Sequence, residues 1–385
     1  MKEVSEYRVT RVKGEDLKVA MTLAENVTND KGNILMPIGY VIEDVERVQS
    51  FLKQHKIKSL SIRVPVITEV SKEDKKGKTE ERDQKKTKAP DRVTYEPQYA
   101  EDLSQYKTHV NRQKKALQRD FERILKGAEI ASLNLEKSIE RVIKNAQKRK
   151  SNPFQLIESS KDLDDMVYNH CHNVVLISYY LGKWLDLSEK RLNELTLTAA
   201  LHDIGKLKVD PEYLKSEKMT EEEALELKKH AIYSHAIVKG DSYVDEQIKR
   251  AILLHHENVD GSGFPFGLKR EKIPLYSRII AIADTYNDLT SKRPFNAKKN
   301  PLEALKHLET ELIDKLDVEL LLVFLNKLSS CFIGQKVGLN TGAVGEIVFV
   351  PKQYSWRPMI KLEKNGEVLD LRDPEHEGIK IDIFY

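Results

Sequence analysis

The segment LHDIGK contains three side chains whose chemistry suits a metal site. His202 and Asp203 are adjacent, and Lys206 follows three residues after the aspartate, one helical turn on if the helix continues that far. A neighbouring imidazole and carboxylate at a helix end can bind two metal ions, with the carboxylate bridging them, and Lys206 can then reach a phosphate oxygen. A lone His-Asp pair is weak evidence, because adjacent polar residues also occur by chance.

A second pair of histidines, His255 and His256, follows the apolar run AILL. Two imidazoles at the end of a buried helix are costly unless their nitrogens have partners, and metal ions are efficient partners. Three further candidates are His170 in YNHCHNVVLIS, His230 in LKKHAIYS and Asp284 in the apolar segment RIIAIADTYNDL. Each of these three, taken singly, is more often a satisfied core or surface residue than a ligand. Together the five histidines and two aspartates predict a metal centre that suits iron, manganese, nickel or zinc better than calcium or magnesium.

Position along the helices excludes the other histidines from this set. His172 lies about 200° around a helix from His170, and His235 lies about 140° from His230, so neither shares its neighbour's face. Four more occur in charged segments and are expected to be solvated: His55, His109, His307 and His376.

These segments, in this order, resemble the HD-GYP subgroup of the HD superfamily of metal-dependent phosphohydrolases. The resemblance runs through HCHNVVLIS, LHDIGK, the Lys-His pair at 229 and 230, HHENVDGSGFP and RIIAIADTYNDLTSKRP, over about 150 residues. Its most specific part is the block from His255 to Pro265, since the HD pair alone is shared with many nucleotidases. The resemblance implies a phosphodiesterase that hydrolyses cyclic di-GMP to pGpG, and in some cases on to GMP. It implies the metal ligands His170, His202, Asp203, His230, His255, His256 and Asp284.

The resemblance also implies roles for the residues around the metals. Two divalent ions, iron, manganese or another transition metal, would hold a bridging water that is deprotonated near neutral pH as the nucleophile. Asp203 would bridge the ions, and Lys206 would act with it in catalysis and neutralise phosphate charge. The aromatic ring after the glycine-rich turn would stack on a base or shape the ribose contacts. The predicted substrate-binding residues are Lys206, Gly263, Phe264, Pro265 and Arg293.

The sequence departs from the subgroup's pattern at several positions. Phe264 replaces the usual tyrosine, so the ring remains without its hydroxyl. Asn287 stands where an aspartate is frequent, and Asn296 stands where a basic residue often contacts phosphate. The loss of that cationic contact at position 296 should weaken dinucleotide affinity before it affects the chemistry. Ser234 stands in place of a usual glycine and is expected to be a tolerated packing change.

The number of metals is predicted from the first turn before His170. Members with a third metal place a glutamate there, whereas this chain has Met166, whose thioether is a poor ligand for hard divalent ions. A two-metal centre is therefore favoured, with the adjacent Asp165 as an alternative source of the missing carboxylate.

The elements around these motifs are mostly helical. Helical periodicity runs from about 160 to 330, turn-rich alternating segments occupy both ends of the chain, and residues 71–92 are charged and almost free of apolar side chains. The predicted fold is mainly α, an all-helical HD-domain bundle with a small α+β N-terminal module and a small β C-terminal module. The predicted parts are 1–66 (α+β module), 67–96 (charged linker), 97–150 (amphipathic helices that connect or form a homodimer contact), 151–332 (HD-GYP catalytic domain) and 333–385 (β module).

Composition limits the partners. The chain has 385 residues, 40% of them hydrophobic, and a formal charge of +3, which gives no reason to expect nucleic-acid or membrane attraction. Cys171 and Cys331 form no paired motif, no stretch suits a membrane span, and the beginning of the sequence has no apolar signal core, so we expect a cytoplasmic protein.

Three functions remain open at this stage. The first is an active cyclic di-GMP phosphodiesterase. The second is a cyclic di-GMP receptor with weak or no activity, which the complete ligand set disfavours because a receptor need not retain every metal residue. The third is an HD hydrolase for another cyclic nucleotide.

Overall fold

A computed structural model of the chain describes residues 3–17, 21–23, 27–28, 34–36, 42, 45–54, 57–68, 100–149, 151–161, 166–216, 218–292 and 298–385. The chain divides into two compact units, Met1–Pro90 and Asp91–Tyr385. Most of the predicted linker, and the predicted substrate contact Arg293, lie outside the described residues, as do His55, Asp165 and Asn296. The predicted fold class is confirmed: the described residues are mainly helical, with small sheets towards both ends of the chain.

The first unit is a small α+β module. Its strands are β1 (Glu3–Lys13), β2 (Thr22–Leu23), β3 (Val27–Thr28), β4 (Ile34–Met36) and β5 (Ser59–Thr68), and its helix is α1 (Val45–Gln54). Antiparallel strands lie in the order β1-β5-β2, and β3 pairs separately with β4. Leu23, Leu52 and Ile62 are among the buried residues of its core.

The second unit contains the helical bundle. Its helices are α2 (Ala100–Leu125), α3 (Leu135–Gln147), α4 (Pro153–Ser160), α5 (Met166–Trp184), α6 (Glu189–Leu201), α7 (Pro211–Lys215), α8 (Glu221–Lys228), α9 (His230–Val238), α10 (Glu246–Leu253), α11 (Leu275–Thr290), α12 (Pro301–Thr310) and α13 (Val318–Ser330). None of the described helices combines the length and the hydropathy that crossing a bilayer requires.

Helix α5 lies at the centre of the bundle, where it contacts α2, α3, α4, α6, α11 and α13. Its residues 174–177 are all fully buried, as expected of a helix that is covered on every side. This central helix positions His170, and its neighbours α6 and α11 bring the HD pair and Asp284 against it.

Helix α2 covers the bundle with an apolar stripe. Tyr106, Val110, Leu117 and Phe121 recur at helical spacing and are buried in the same core as residues of α5, α6 and α11. The stripe is therefore already used within the chain, and the homodimer predicted through residues 97–150 stays a prediction.

The carboxyl-terminal strands form one antiparallel sheet. They are β6 (Lys336–Leu339), β7 (Val344–Phe349), β8 (Met359–Leu362), β9 (Val368–Asp370) and β10 (Ile381–Phe384), in the order β10-β6-β7-β8-β9. The sheet shares its core with the bundle, because the Phe154 ring of α4 meets Phe332 at 4.6 Å and Phe384 at 5.0 Å in edge contacts.

Two helix boundaries differ from the sequence pattern. The segment EEEALELKKHAIYSHAIV has one helical pattern but forms two helices, because the backbone N–H of Lys229 bonds to the carbonyl of Glu226 and tightens the turn before α9. Helix α6 ends at Leu201, and a short 3-10 turn, Ile204–Lys208, follows the HD pair. Lys206 therefore lies on this turn and not on a continued α-helix.

Candidate metal centre

The structure brings the seven predicted ligands together as two neighbouring groups. Asp203, His230, His255 and His256 form one group, and His170, His202 and Asp284 form the other. Within each group the ligand atoms lie within 4.8 Å of one another. The residues come from five segments far apart in sequence, so the grouping is a product of the tertiary fold.

Helix ends position most of these side chains. His202 caps the C-terminus of α6, His230 begins α9, and His255 and His256 follow the end of α10. His170 and Asp284 instead lie inside α5 and α11, with their side chains buried. Backbone turns at the helix ends allow adjacent residues such as His202 and Asp203 to face the same site.

Backbone carbonyls fix three of the imidazoles. Nδ1 of His202 lies 2.8 Å from the Ala199 carbonyl oxygen, and Nδ1 of His230 lies 2.6 Å from that of Leu227. Nδ1 of His255 makes the same contact with Ile252, at 2.7 Å. Because a carbonyl only accepts, each Nδ1 carries the proton and each Nε2 presents a lone pair to the site. This is the tautomer that metal coordination through Nε2 requires.

The two oxygens of Asp203 face different ligand groups. Oδ1 lies 3.1 Å from Nε2 of His230, whereas Oδ2 lies 3.0 Å from Nε2 of His170 and 3.5 Å from Nε2 of His202. The carboxylate therefore stands between the two ligand groups, with one oxygen towards each. Oδ2 also lies 2.5 Å from Nζ of Lys206, so this lysine is paired with the carboxylate in the structure.

A buried ligand nitrogen without a hydrogen-bond partner tests whether a metal ion fits this site. Within the described part of the chain, Nε2 of His255 is fully buried and has no hydrogen-bond partner, with Oδ1 of Asp203 3.8 Å away. Burying a nitrogen lone pair without a partner is unfavourable, and the surrounding donors are imidazole and carboxylate. The residues present therefore fit transition-metal ions.

The surrounding charges and hydrogen bonds determine the ionisation of the Asp203 and Asp284 carboxyl groups. Burial alone would raise the pKa of Asp203, but the Lys206 ammonium and the hydrogen bond from His170 outweigh it and hold the pKa well below its usual range. Burial likewise opposes ionisation of Asp284, where the hydrogen bond from His170 outweighs it and keeps the pKa well below its usual range. Both aspartates are thus ionised at neutral pH, as metal ligands must be.

The histidines separate into two kinds. Burial lowers the pKa of His202 and His255, and lowers that of His256 to about 3, so these rings are neutral at neutral pH. For His170, burial also lowers the pKa, but hydrogen bonds to Asp203 and Asp284 outweigh burial and raise it. His170 therefore shares a proton with the carboxylates, and metal binding would release it.

The glycine-rich turn lies against the ligand cluster. The Phe264 ring stacks on His256, with centroids 4.6 Å apart and an angle of 24° between the planes. Gly263 has no room for a side chain, because a Cβ there would lie 2.2 Å from the Asn258 nitrogen and 2.4 Å from the His256 carbonyl oxygen. Pro265, the next residue of the predicted contact set, is partly exposed.

The histidines left out of the ligand set lie elsewhere. His172 is buried, with Nε2 3.2 Å from Oε1 of Gln113 on α2, which is the opposite side of α5 from the cluster. His235 belongs to neither ligand group, and His109 is exposed.

Several functional neighbours were not assigned from the sequence. Glu257 is buried and accepts hydrogen bonds from the backbone N–H groups of Phe266 and Leu268, so it holds the turn that carries Phe264. The position of Glu257 directly after His255 and His256 is the sequence feature that could have identified it. Ser234 was expected to be only a packing change, but its hydroxyl accepts a hydrogen bond from the N–H of Gly205 beside the HD pair.

His170 has its own supporting groups on α11. Its Nδ1 lies 2.8 Å from Nδ2 of Asn287 and 3.4 Å from Oδ1 of Asp288. As placed, the Asn287 amide N–H donates to Nδ1; a metal on Nε2 would instead require a proton on Nδ1, and the Asp288 carboxylate is the acceptor beside it for that proton. The carboxylate absent at position 287 is thus present at the next residue.

Two cavities adjoin the cluster. One, of about 280 Å³, is lined by His170, His230 and Lys206 together with apolar residues of α7 and α8. The other, of about 240 Å³, is lined by His255 and Asp284 together with the glycine-rich turn. A larger cavity of about 1420 Å³ lies among α2, α4 and the carboxyl-terminal strands, and none of the seven cluster residues lines it.

Comparison with known proteins gives a consistent set of relatives. A family model described as HD domain matches residues 130–320. The "Cyclic di-GMP phosphodiesterase PdeB" of Borreliella burgdorferi is 33% identical over 207 residues, which cover 52% of this chain and 53% of that protein. The "3'3'-cGAMP-specific phosphodiesterase 1" of Vibrio cholerae is 37% identical over 149 residues, 38% of this chain and 34% of that protein. The chain thus spans about half the length, or less, of these curated relatives.

Comparison with solved structures also gives a match. An HDG"Y"P protein from Bdellovibrio bacteriovorus is similar at 18% identity and a TM-score of 0.48, over 83% of this chain and 99% of that one.

Proposed function

Residues 130–320 of this chain belong to the HD domain family, and from that premise we propose that the protein is a metal-dependent phosphodiesterase whose substrate is cyclic di-GMP. The predicted resemblance to the HD-GYP subgroup is confirmed by relatives that are named as cyclic dinucleotide phosphodiesterases. The proposed products are pGpG and, by a second cleavage, GMP.

One observation carries the proposal: the two oxygens of Asp203 face two separate groups of buried ligands. This arrangement supports a centre of two transition-metal ions held by His170, His202, Asp203, His230, His255, His256 and Asp284. When bound, such ions supply Lewis acidity, which lowers the pKa of water and neutralises phosphate charge.

The chain's own residues then have distinct tasks. Asp203 contacts both ligand groups. Lys206 balances the charge of the Asp203 carboxylate from 2.5 Å away and also lines the cavity beside His170. Phe264 stacks on His256 with one face and also lines the two cavities beside the centre, where its ring is suited to contact with a base. Six of the seven proposed ligand residues are buried, which strengthens each electrostatic contact with a phosphate at the centre.

A second substrate has support from the comparisons. Two relatives are named as 3'3'-cGAMP-specific phosphodiesterases, and one of them is 37% identical over the aligned residues. The same centre would cleave that dinucleotide, since both substrates present phosphodiester bonds between nucleosides. We also infer a cytoplasmic location, because neither Cys171 nor Cys331 forms a disulfide bond among the described residues, as is usual in a reducing compartment.

A substrate panel tests the proposal. Full-length protein loaded separately with iron(II) or manganese(II) would be incubated with cyclic di-GMP, 3'3'-cGAMP, pGpG and bis(p-nitrophenyl) phosphate. We expect turnover of cyclic di-GMP that depends on added metal and is lost in His170→Gln but retained in His172→Gln, a second buried histidine of α5. Binding of cyclic di-GMP without turnover under both metals would favour the receptor, and turnover of 3'3'-cGAMP alone would change the substrate.

A further inference from the structure

The two cavities beside the metal centre share three lining residues. Lys228, His256 and Phe264 line both the cavity of about 280 Å³ and the cavity of about 240 Å³. These side chains therefore lie at the boundary between the cavities, and His256 at this boundary is itself one of the proposed ligands. A ligand that spans both cavities must pass along this boundary.

The two cavities differ in chemistry. Leu214, Met219, Ala224 and Leu227 give the first an apolar wall, which suits the face of a nucleobase. Asn258, Ser262 and Thr285 give the second polar groups, which suit the hydrogen-bonding edge of a base or a ribose. A substrate with a nucleoside on either side of the scissile phosphate matches this pair of cavities.

Lys228 is the available cation at the boundary. Within the described residues it has no ion pair and no hydrogen bond from its ammonium, which lies 5.7 Å from the centroid of the Phe264 ring. Among the described residues that line these cavities, the other lysine is Lys206, which is already paired with Asp203. The adjacent Lys229 is also engaged, since its Nζ lies 2.6 Å from Oε2 of Glu226.

We propose that Lys228 binds the second, non-scissile phosphate of a cyclic dinucleotide and so selects substrates with two phosphates. The inference rests on the proposed function. A cyclic dinucleotide carries both phosphates on one macrocycle, so a substrate with one phosphate at the ligand cluster must place the other nearby, between its two nucleosides. Lys228 lies between the two nucleoside-sized cavities, and a charge-assisted contact from an ammonium is the chemistry that a phosphate requires.

The test compares substrates with one and two phosphates in matched lysine variants. Metal-loaded full-length parent, Lys228→Ala and Lys229→Ala would be assayed with cyclic di-GMP and with bis(p-nitrophenyl) phosphate, which has a single phosphate. We expect Lys228→Ala to raise KM for cyclic di-GMP by about tenfold or more, with kcat changed by less than about twofold. Its kcat/KM for bis(p-nitrophenyl) phosphate should equal that of the parent, Lys229→Ala should resemble the parent on both substrates, and Lys228→Arg should restore most of the affinity.

Other outcomes overturn the inference in distinguishable ways. An equal loss on both substrates would place Lys228 at the scissile phosphate or at the metal centre. An unchanged KM for cyclic di-GMP would remove any role in binding, while leaving the proposed phosphodiesterase intact. If the parent hydrolyses bis(p-nitrophenyl) phosphate but cyclic di-GMP and 3'3'-cGAMP are neither hydrolysed nor inhibitory, the proposed function fails and the inference fails with it.

Discussion

Replacing Gly263 with alanine should damage substrate binding without removing the metals. A Cβ at this position would lie 2.2 Å from the Asn258 nitrogen and 2.4 Å from the His256 carbonyl oxygen. Both neighbours are backbone atoms, so relief of the clash requires the turn to move by about 1 Å, because close-packed interiors have no spare volume. Overpacking of this kind costs about 1–3 kcal/mol of stability. The movement would shift the Phe264 ring from its place beside His256.

Two measurements separate this effect from general destabilisation. Gly263→Ala should raise KM for cyclic di-GMP about tenfold or more, since it displaces a group at the substrate boundary, while elemental analysis finds the parent's metal content. Gly240→Ala is the matched control, because a Cβ there meets nothing within 4 Å, and its stability and kinetics should equal the parent's or improve slightly. Parental KM and parental stability in Gly263→Ala would show that the turn does not position the substrate.

Three further perturbations probe the surroundings of the centre. Met166→Glu places a carboxylate four residues before His170 on the same face of α5, so elemental analysis should find one more metal equivalent than in the parent. An unchanged metal count would refute the explanation that Met166 limits the centre to two metals. Asp288→Ala removes the carboxylate 3.4 Å from Nδ1 of His170, so chelator competition should show metal affinity weaker by about tenfold to a hundredfold, and parental affinity would exclude this support. The free energy of unfolding of metal-free protein should fall as the pH drops from about 6.5 towards 4. Burial lowers the pKa of His172 to about 4 and that of His256 to about 3 in the folded protein, so the same histidines of the unfolded chain take up protons at a higher pH. Urea titrations at pH 7 and pH 5 check this, and equal or greater stability at pH 5 would contradict it.

The grouping of the candidate ligand residues could be predicted because ligand chemistry depends on residue type and context. Asp284 lies in an apolar helix and His255 with His256 follows an apolar run, so each needed a partner that the local sequence does not supply. The structure places these residues in one cluster with His170, although their segments are distant along the chain. The helical period also predicted that His172 and His170 lie on different faces of one helix. In the structure the His172 ring contacts Gln113 of α2, away from the cluster that contains His170.

Other features depend on backbone turns that periodicity does not specify. Helix α6 ends before the HD pair, and the tight turn that follows directs Lys206 onto Asp203 and not towards open solvent. The break at Lys229 ends α8 with Lys228 beside Phe264, a contact between segments 36 residues apart. Sequence spacing gives no distance across such turns, so neither lysine's contact could be derived beforehand.

The central claim is that Asp203 joins two groups of ligands into one catalytic metal centre. The most direct test measures metal content and cyclic di-GMP turnover in parent and Asp203→Asn, a change that preserves shape and removes the charge. We predict about two metal equivalents in the parent, at least one fewer in the variant, and a fall in kcat of about a hundredfold or more, which corresponds to about 2.7 kcal/mol of transition-state stabilisation. A variant that keeps both metals and hydrolyses cyclic di-GMP within about tenfold of the parent would contradict the account.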